Sequence, residues 1–270
     1  MRHISSFLYG KRRIGLQYKG YLIDLDGTMY RGNHEIEGAK KFIHHLNTHA
    51  IPYLFITNNS TLRREAVVQK LASFGITTTI HHILTSAVAT AKYIKGQNKQ
   101  AACFIIGEVG LITAFEEAGL TITDQNCDYV IVGLDREITY DKLAKASLLI
   151  RQGAQFISTN SDAAIPTEAG LLPGNGSLTA AISTSTGVQP IFVGKPENII
   201  MEEAMKLIGL DRDNVLMIGD NYETDILAGI NANINTLMVL TGFSTLEDLE
   251  AVTKKPTYIK KDLIEWMHVK

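Results

Sequence analysis

Tyr21-Leu22-Ile23-Asp24-Leu25-Asp26-Gly27-Thr28-Met29-Tyr30 is an apolar run that ends in two carboxylates one residue apart, then a glycine and a hydroxyl. Alternate residues of a strand point the same way, about 7 Å apart over two rises of roughly 3.4 Å. If residues 21–23 close a buried strand, Asp24 and Asp26 emerge side by side at its carboxyl end. Gly27 lets the backbone turn where a side chain would crowd the site. Such a turn offers a nucleophile, an acid beside it and a carbonyl free for a metal. Asp-Leu-Asp-Gly is also ordinary turn chemistry, so the choice between surface turn and site falls to the rest of the chain.

Three later segments repeat the pattern of strand followed by polar turn. Residues 52–56 read as a short strand, then come Thr57-Asn58-Asn59-Ser60 and a helix over 61–74 closed by Gly75. A helix N-terminus after such a turn directs free backbone N–H groups at an anion. The competing reading is plain capping by Asn and Ser. Residues 190–193 read as a strand that runs into Gly194-Lys195-Pro196. Pro196 suits the first helical position, which leaves Lys195 between strand end and helix start. Residues 215–218 are a strand, followed by Gly219-Asp220-Asn221-Tyr222-Glu223-Thr224-Asp225, whose Asp220 and Asp225 can face one cation. A helix over 224–231 carries Ile226, Leu227 and Ile230 inward, and 236–240 is a further strand.

The remaining elements frame these segments. Residues 36–48 are a helix with Ala39, Phe42, Ile43 and Leu46 on one face. His44, His45 and His49 lack acidic or cysteine partners at ligand spacing, so a solvated face is expected rather than a metal site. Between 81 and 176 helices over 85–95, 109–118 and 140–152 alternate with strands over 101–106, 129–132 and 155–158. That alternation implies a second parallel sheet with its own core. It closes in Thr159-Asn160-Ser161-Asp162, Pro166-Thr167-Glu168 and Leu172-Pro173-Gly174-Asn175-Gly176-Ser177, dense enough in turn residues for irregular backbone. These loops follow strand ends and precede a helix opening at Ser177, where ligand-facing loops commonly sit. A plain surface loop is the alternative. A short helix over 261–267 ends the chain, with Trp266 packed against the sheet.

Composition narrows the classes. The 270 residues allow one large domain or two modest ones, and 45% hydrophobic with 20% charged residues fits a globular chain with ample core. A net charge of -2 gives no electrostatic case for nucleic acid or an anionic membrane. No apolar run approaches a membrane span of about 18 residues. Cys103 and Cys127 are too few for a disulfide framework and read as small buried apolar residues. Arg2, Lys11, Arg12 and Arg13 surround an apolar patch at 7–9 that is too short for a signal-peptide core. Residues 1–16 are therefore expected to be a disordered or loosely docked tail, part of it upstream of the natural translation start. N-terminal mass spectrometry of the native protein tests this, and an intact Met1 would refute it.

Asp24-Leu25-Asp26-Gly27-Thr28, Thr57-Asn58-Asn59-Ser60, Lys195 and Gly219-Asp220 through Asp225 stand in fixed order, each after a strand. In that order they resemble the four signatures of the haloacid dehalogenase superfamily, most of whose members are aspartate-nucleophile phosphatases. The loops from Thr159 to Ser177 resemble those of its NagD-like, or p-nitrophenylphosphatase-like, branch. The resemblance runs from about residue 18 to the end. It implies an α/β fold: a Rossmann-like doubly wound parallel-sheet core from 17–80 and 177–270, with an inserted α/β cap at 81–176.

What the resemblance implies for chemistry is an expectation about each residue. Strand ends in an open parallel sheet converge on one crevice. Asp24 would attack phosphorus and form an aspartyl-phosphate. Asp26 would protonate the leaving oxygen and then activate water. Thr57, Asn58, Asn59 and Lys195 would bind the phosphoryl group. Crowded carboxylates suit Mg2+, held by Asp24, the Asp26 carbonyl and Asp220, with Asp225 supporting that shell. No soft-ligand set suggests zinc. Asn160, Asp162 and Asn175 are the cap candidates for specificity. The implied substrates are sugar phosphates, acid sugar phosphates or nucleoside monophosphates; the expected location is cytoplasmic, and the expected assembly a homodimer through the cap. A dehalogenase would need neither Asp26 nor a metal. A phosphomutase or phosphotransferase stays open, and phosphate release assayed against isomer formation separates it. A non-catalytic metabolite-binding relative stays open too, and a phosphatase assay with and without chelator distinguishes that.

Overall fold

The computed structural model describes residues 18–167 and 169–268. The predicted tail at 1–16 lies outside the described residues. Along the chain come β1 (Gly20–Ile23), β2 (Tyr30–Arg31), β3 (His34–Glu35), α1 (Ala39–Thr48), β4 (Tyr53–Thr57), α2 (Arg64–Ser73), β5 (Ile83–Thr85) and α3 (Ser86–Gln97). Then follow β6 (Ala102–Ile106), α4 (Val109–Glu117), β7 (Thr121–Ile122), β8 (Tyr129–Val132), α5 (Tyr140–Arg151), β9 (Gln155–Ser158), β10 (Ala164–Thr167), β11 (Gly170–Pro173) and α6 (Asn175–Thr186). The last stretch holds β12 (Ile191–Phe192), α7 (Asn198–Ile208), β13 (Val215–Gly219), a π-helical turn (Tyr222–Ile226), α8 (Leu227–Asn231), β14 (Asn235–Val239), β15 (Tyr258–Lys260) and α9 (Leu263–Met267).

Two parallel sheets carry the molecule, and the fold is α/β throughout. One runs β15-β14-β13-β1-β4-β5, the other β12-β9-β8-β6-β7. A parallel strand covered on both faces reads as an unbroken apolar run, and all four residues of β1 are buried. Its neighbours come from distant parts of the chain: Ile23 pairs with Phe55 on one side and Ile218 on the other. The carboxyl ends of β4, β1 and β13 therefore lie level, with the Asp24 N–H donating to the Ile218 carbonyl at 2.9 Å.

Side chains alternate across the six-stranded sheet. Tyr21, Ile23, Phe55, Leu216 and Ile218 pack with α1 and Trp266 on one face. Leu22, Leu54, Ile56, Val215 and Met217 pack on the other with α3, α4 and α7. This second core runs without a break into Cys103, Ile131 and Ile157 of the five-stranded sheet. The far face of that sheet packs Val130, Val132 and Phe156 against Leu149 of α5 and Ile182 of α6.

Several elements depart from the sequence expectation. α1 opens at Ala39, three residues late, because Gly38 enters at φ 91 and a Cβ there would meet Ile264 at 2.7 Å. Its buried face is nevertheless Ala39, Phe42, Ile43 and Leu46. α2 opens at Arg64 because the Asn59 side chain first folds the chain into a turn, accepting from the Thr61 N–H at 2.8 Å. α7 opens at Asn198 after Glu197, so Pro196 stands in the preceding turn instead of the first helical position. The stretch expected as irregular backbone contains the β10–β11 hairpin. β5 pairs with β4 and β12 with β9, so the expected boundaries at 81 and 177 part from the strand pairing there. Cys103 is buried, Cys127 partly so, and both thiols are free. Among the described residues no helix is long and apolar enough to cross a membrane.

Candidate active site

The level strand ends bring four of the predicted residues into one buried knot. Lys195, 2% exposed, donates from Nζ to Asp24 Oδ1 at 2.5 Å, to Asp225 Oδ1 at 2.6 Å and to the Ile56 carbonyl at 3.1 Å. Its three ammonium protons are thus all engaged. Asp220 follows β13, accepting from the Thr28 hydroxyl at 3.2 Å and the Phe243 N–H at 2.6 Å. Asp225 stands on the π-helical turn, where its second oxygen accepts the Asn221 N–H at 3.1 Å. Carboxylate oxygens of Asp24, Asp220 and Asp225 lie within 4.8 Å of one another. Gly27 makes this approach feasible: its φ is +85, and a Cβ there would sit 2.2 Å from Asp220.

Electrostatics follow from this crowding. Burial raises the Asp24 carboxyl well above the usual range, and the charges of Asp225 and Asp220 add to it while Lys195 opposes. Burial and the Asp225 charge push Asp220 up to about 7, against the Phe243 N–H, Thr28 and Lys195. Burial alone would lower the Lys195 ammonium, but Asp225 and Asp24 together hold it above its ordinary value. Three carboxylates thus face one ammonium. An all-oxygen set with surplus negative charge is the donor chemistry that suits Mg2+, and these residues fit that ion.

Asp26 lies on the outer side of this knot, open to solvent in part. Surrounding protein raises its carboxyl, partly offset by Lys70 and the Gly32 N–H. Thr57 accepts the Asn59 N–H at 3.1 Å, leaving its own O–H to donate elsewhere. The Asn58 side chain is spent on the Lys195 backbone, accepting its N–H at 2.8 Å and donating to its carbonyl at 2.9 Å. The Asn59 oxygen is spent on Thr61.

The three loop candidates separate. Asp162 is bonded to the Asn58 amide at 3.1 Å. Asn160 is buried, donating to the Asn58 carbonyl at 3.0 Å and accepting the Asp162 N–H at 3.2 Å. Asn175, also buried, donates to Ser158 Oγ at 2.9 Å and the Asn160 carbonyl at 2.8 Å. Asn160 and Asn175 thus brace the loop from within.

The sequence reading passed over the segment after β14. There Phe243 holds Asp220, the Thr241 hydroxyl donates to the Gly27 carbonyl at 2.6 Å, and Arg31 donates to the Gly242 carbonyl at 2.5 Å. Thr241-Gly242-Phe243-Ser244 also follows a strand, the same signal that marked the other segments.

The chain is similar to known proteins over most of its length. Residues 21–121 match the family model for haloacid dehalogenase-like hydrolases, and residues 192–266 a HAD-hydrolase-like model. The chain is 54% identical to the 5'-nucleotidase YutF of Bacillus subtilis, over 93% of this chain and 98% of that one. It is 54% identical to an acid sugar phosphatase of Staphylococcus aureus, over 92% and 96%. A double mutant of the thermostable NPPase from Geobacillus stearothermophilus superposes with a TM-score of 0.88 at 53% identity, over 93% and 98%.

Proposed function

The chain belongs to the haloacid dehalogenase-like hydrolases and is a phosphatase, and we propose that it hydrolyses small phosphorylated metabolites through an aspartyl-phosphate on Asp24. The observation that carries this reading is the buried Lys195 ammonium lodged between Asp24 and Asp225, with Asp220 beside them. The Asp24 and Asp220 carboxylates and the Asp26 carbonyl would hold Mg2+, with Asp225 steadied by Lys195 and the Asn221 N–H. When bound, the ion supplies positive charge against the phosphoryl oxygens.

Asp24 attacks phosphorus with its carboxylate oxygen, forming the P–O bond as the P–O bond to the leaving group breaks. The Thr57 hydroxyl and the Asn58 N–H take the phosphoryl oxygens, where transition-state charge gathers, and the Lys195 ammonium sets its positive charge beside them. Asp26 gives its proton to the leaving oxygen, a task its raised pKa suits. It then takes a proton from the water that cleaves the acyl phosphate, restoring Asp24. The five-stranded layer would act as the cap that selects the leaving group and as the contact of a homodimer. Relatives named for a 5'-nucleotide and for acid sugars support a substrate class of nucleoside monophosphates and sugar or acid sugar phosphates.

The test is phosphate release from a panel of such esters, with Mg2+ and with chelator, ranked by kcat/KM. Asp24→Asn is expected to abolish turnover, by about 10^4-fold or more, as for loss of a covalent nucleophile. More than a few per cent residual activity would overturn the assignment.

A further inference from the structure

Asn58 carries more hydrogen bonds than phosphate binding asks of it. Its backbone N–H is the group directed at substrate in the reading above, and any side chain would leave that in place. The side-chain amide instead closes a two-bond ring on the backbone of Lys195, accepting at 2.8 Å and donating at 2.9 Å. The same nitrogen donates to Asp162 at 3.1 Å. The Asn58 carbonyl accepts from Ser86 Oγ at 2.7 Å and from Asn160 Nδ2 at 3.0 Å. The lysine turn packs directly on this amide, since a Cβ at Gly194 would lie 2.6 Å from Asn58 Oδ1. One residue therefore ties together the turn after β4, the turn carrying Lys195, and the loop after β9 at the end of the other sheet.

A lysine has a flexible four-carbon stem. Where its ammonium comes to rest depends on where its backbone is pinned. Lys195 must reach Asp24, Asp225 and the Ile56 carbonyl at once, which leaves little room for a displaced anchor.

We propose that the Asn58 side chain is the positioning residue for Lys195, and that Asp162 is its latch from the five-stranded sheet, so that seating of the loop at 159–162 is transmitted to the ammonium. The proposal rests on Lys195 supplying positive charge beside the phosphoryl group. An aspartate at position 58 would keep the acceptor for the Lys195 N–H. It would lose the donor for the Lys195 carbonyl and set one carboxylate against that of Asp162. An alanine would remove the ring and the latch together.

The experiment uses the full chain with saturating Mg2+ and p-nitrophenyl phosphate, reading kcat and KM separately, with circular dichroism to confirm folding. Asn58→Ala is expected to lower kcat about 100-fold, the usual penalty for a misplacement of about 1 Å, with KM changed by less than about threefold. Asn58→Asp should lose at least as much, and adding Asp162→Asn should recover about tenfold, as coupled neighbours do. The reciprocal pair removes the like charges and returns an amide donor, a rescue that a merely structural role would not give. A kcat within threefold of the unmodified protein for folded Asn58→Ala overturns the proposal. So does additive loss in the double variant, which decides the matter even if Asn58→Ala fails to fold. Asp24→Asn in the same assay keeps the two readings apart: its residual activity tests the phosphatase mechanism, the Asn58 series tests the latch.

Discussion

Asp24, Asp220 and Asp225 all lose water on folding, and among the described residues bonded to them Lys195 alone answers with full positive charge. Asp26 is different, standing partly in solvent with its carboxyl raised by the protein around it. Asp26→Asn is expected to slow hydrolysis of sugar phosphates by about 10²–10⁴-fold, the usual worth of general acid catalysis. p-Nitrophenyl phosphate should suffer far less in acyl-phosphate formation, because its leaving group needs little protonation. Equal losses on the two esters would remove Asp26 from the acid role. Gly27→Ala forces a side chain to within 2.2 Å of Asp220 at a φ of +85. It should weaken Mg2+ activation at least tenfold, read as the half-saturating metal concentration; unchanged metal dependence would contradict the close packing of that turn. Asp24, Asp220 and Lys195 were legible because each stands at an apolar strand end, where side-chain type and position coincide. Thr28 and Phe243 were not. A threonine hydroxyl and a backbone N–H are ordinary groups until the fold aims them at Asp220.

Strands longer than three residues in the two sheets could be read from apolar runs, and β8 and β9 fall on the residues expected of them. β5, β7 and β15, of two or three residues, give too little pattern for a period to show. Helix starts were misplaced where side chains rather than periodicity set them, as at Asn59 before α2. The closing helix shows the opposite case. Trp266 is fully buried against Tyr258 of β15, ring centroids 5.2 Å apart, in keeping with the expected packing against the sheet. Its indole N–H lacks a hydrogen-bond partner among the described residues. Trp266→Ala should cost about 3–5 kcal/mol in urea unfolding followed by circular dichroism. Trp266→Phe should cost less than about 1.5 kcal/mol, because volume loss is offset by removal of a buried unpaired donor. A larger penalty for phenylalanine would mean that the indole nitrogen is satisfied.

The Asp220 shift bears on stability of the entire chain. Its folded pKa of about 7 lies above its ordinary 3.8, so the folded form binds that proton more tightly between those values. The stability it contributes is full below about pH 4 and is lost as pH rises through 7. With chelator present, the melting temperature should therefore fall between pH 5.5 and 8. Asp220→Asn should flatten that fall, and Mg2+ should raise the melting temperature more at pH 8 than at pH 5.5. Parallel pH profiles for the unmodified protein and Asp220→Asn would refute the linkage.

Leu22 and Met217 of one sheet and Ile131 and Ile157 of the other share a single continuous core with α3, α4 and α7. Exchange of the upper layer between relatives, a tempting route to altered selectivity, therefore cannot be done by cutting at loop positions alone. A graft that brings foreign strands but keeps the resident α3 and α4 would meet a mismatched oily seam, and the chimera would be judged by its solubility before its catalysis. Chimeras that carry both helices with their strands are the ones to build.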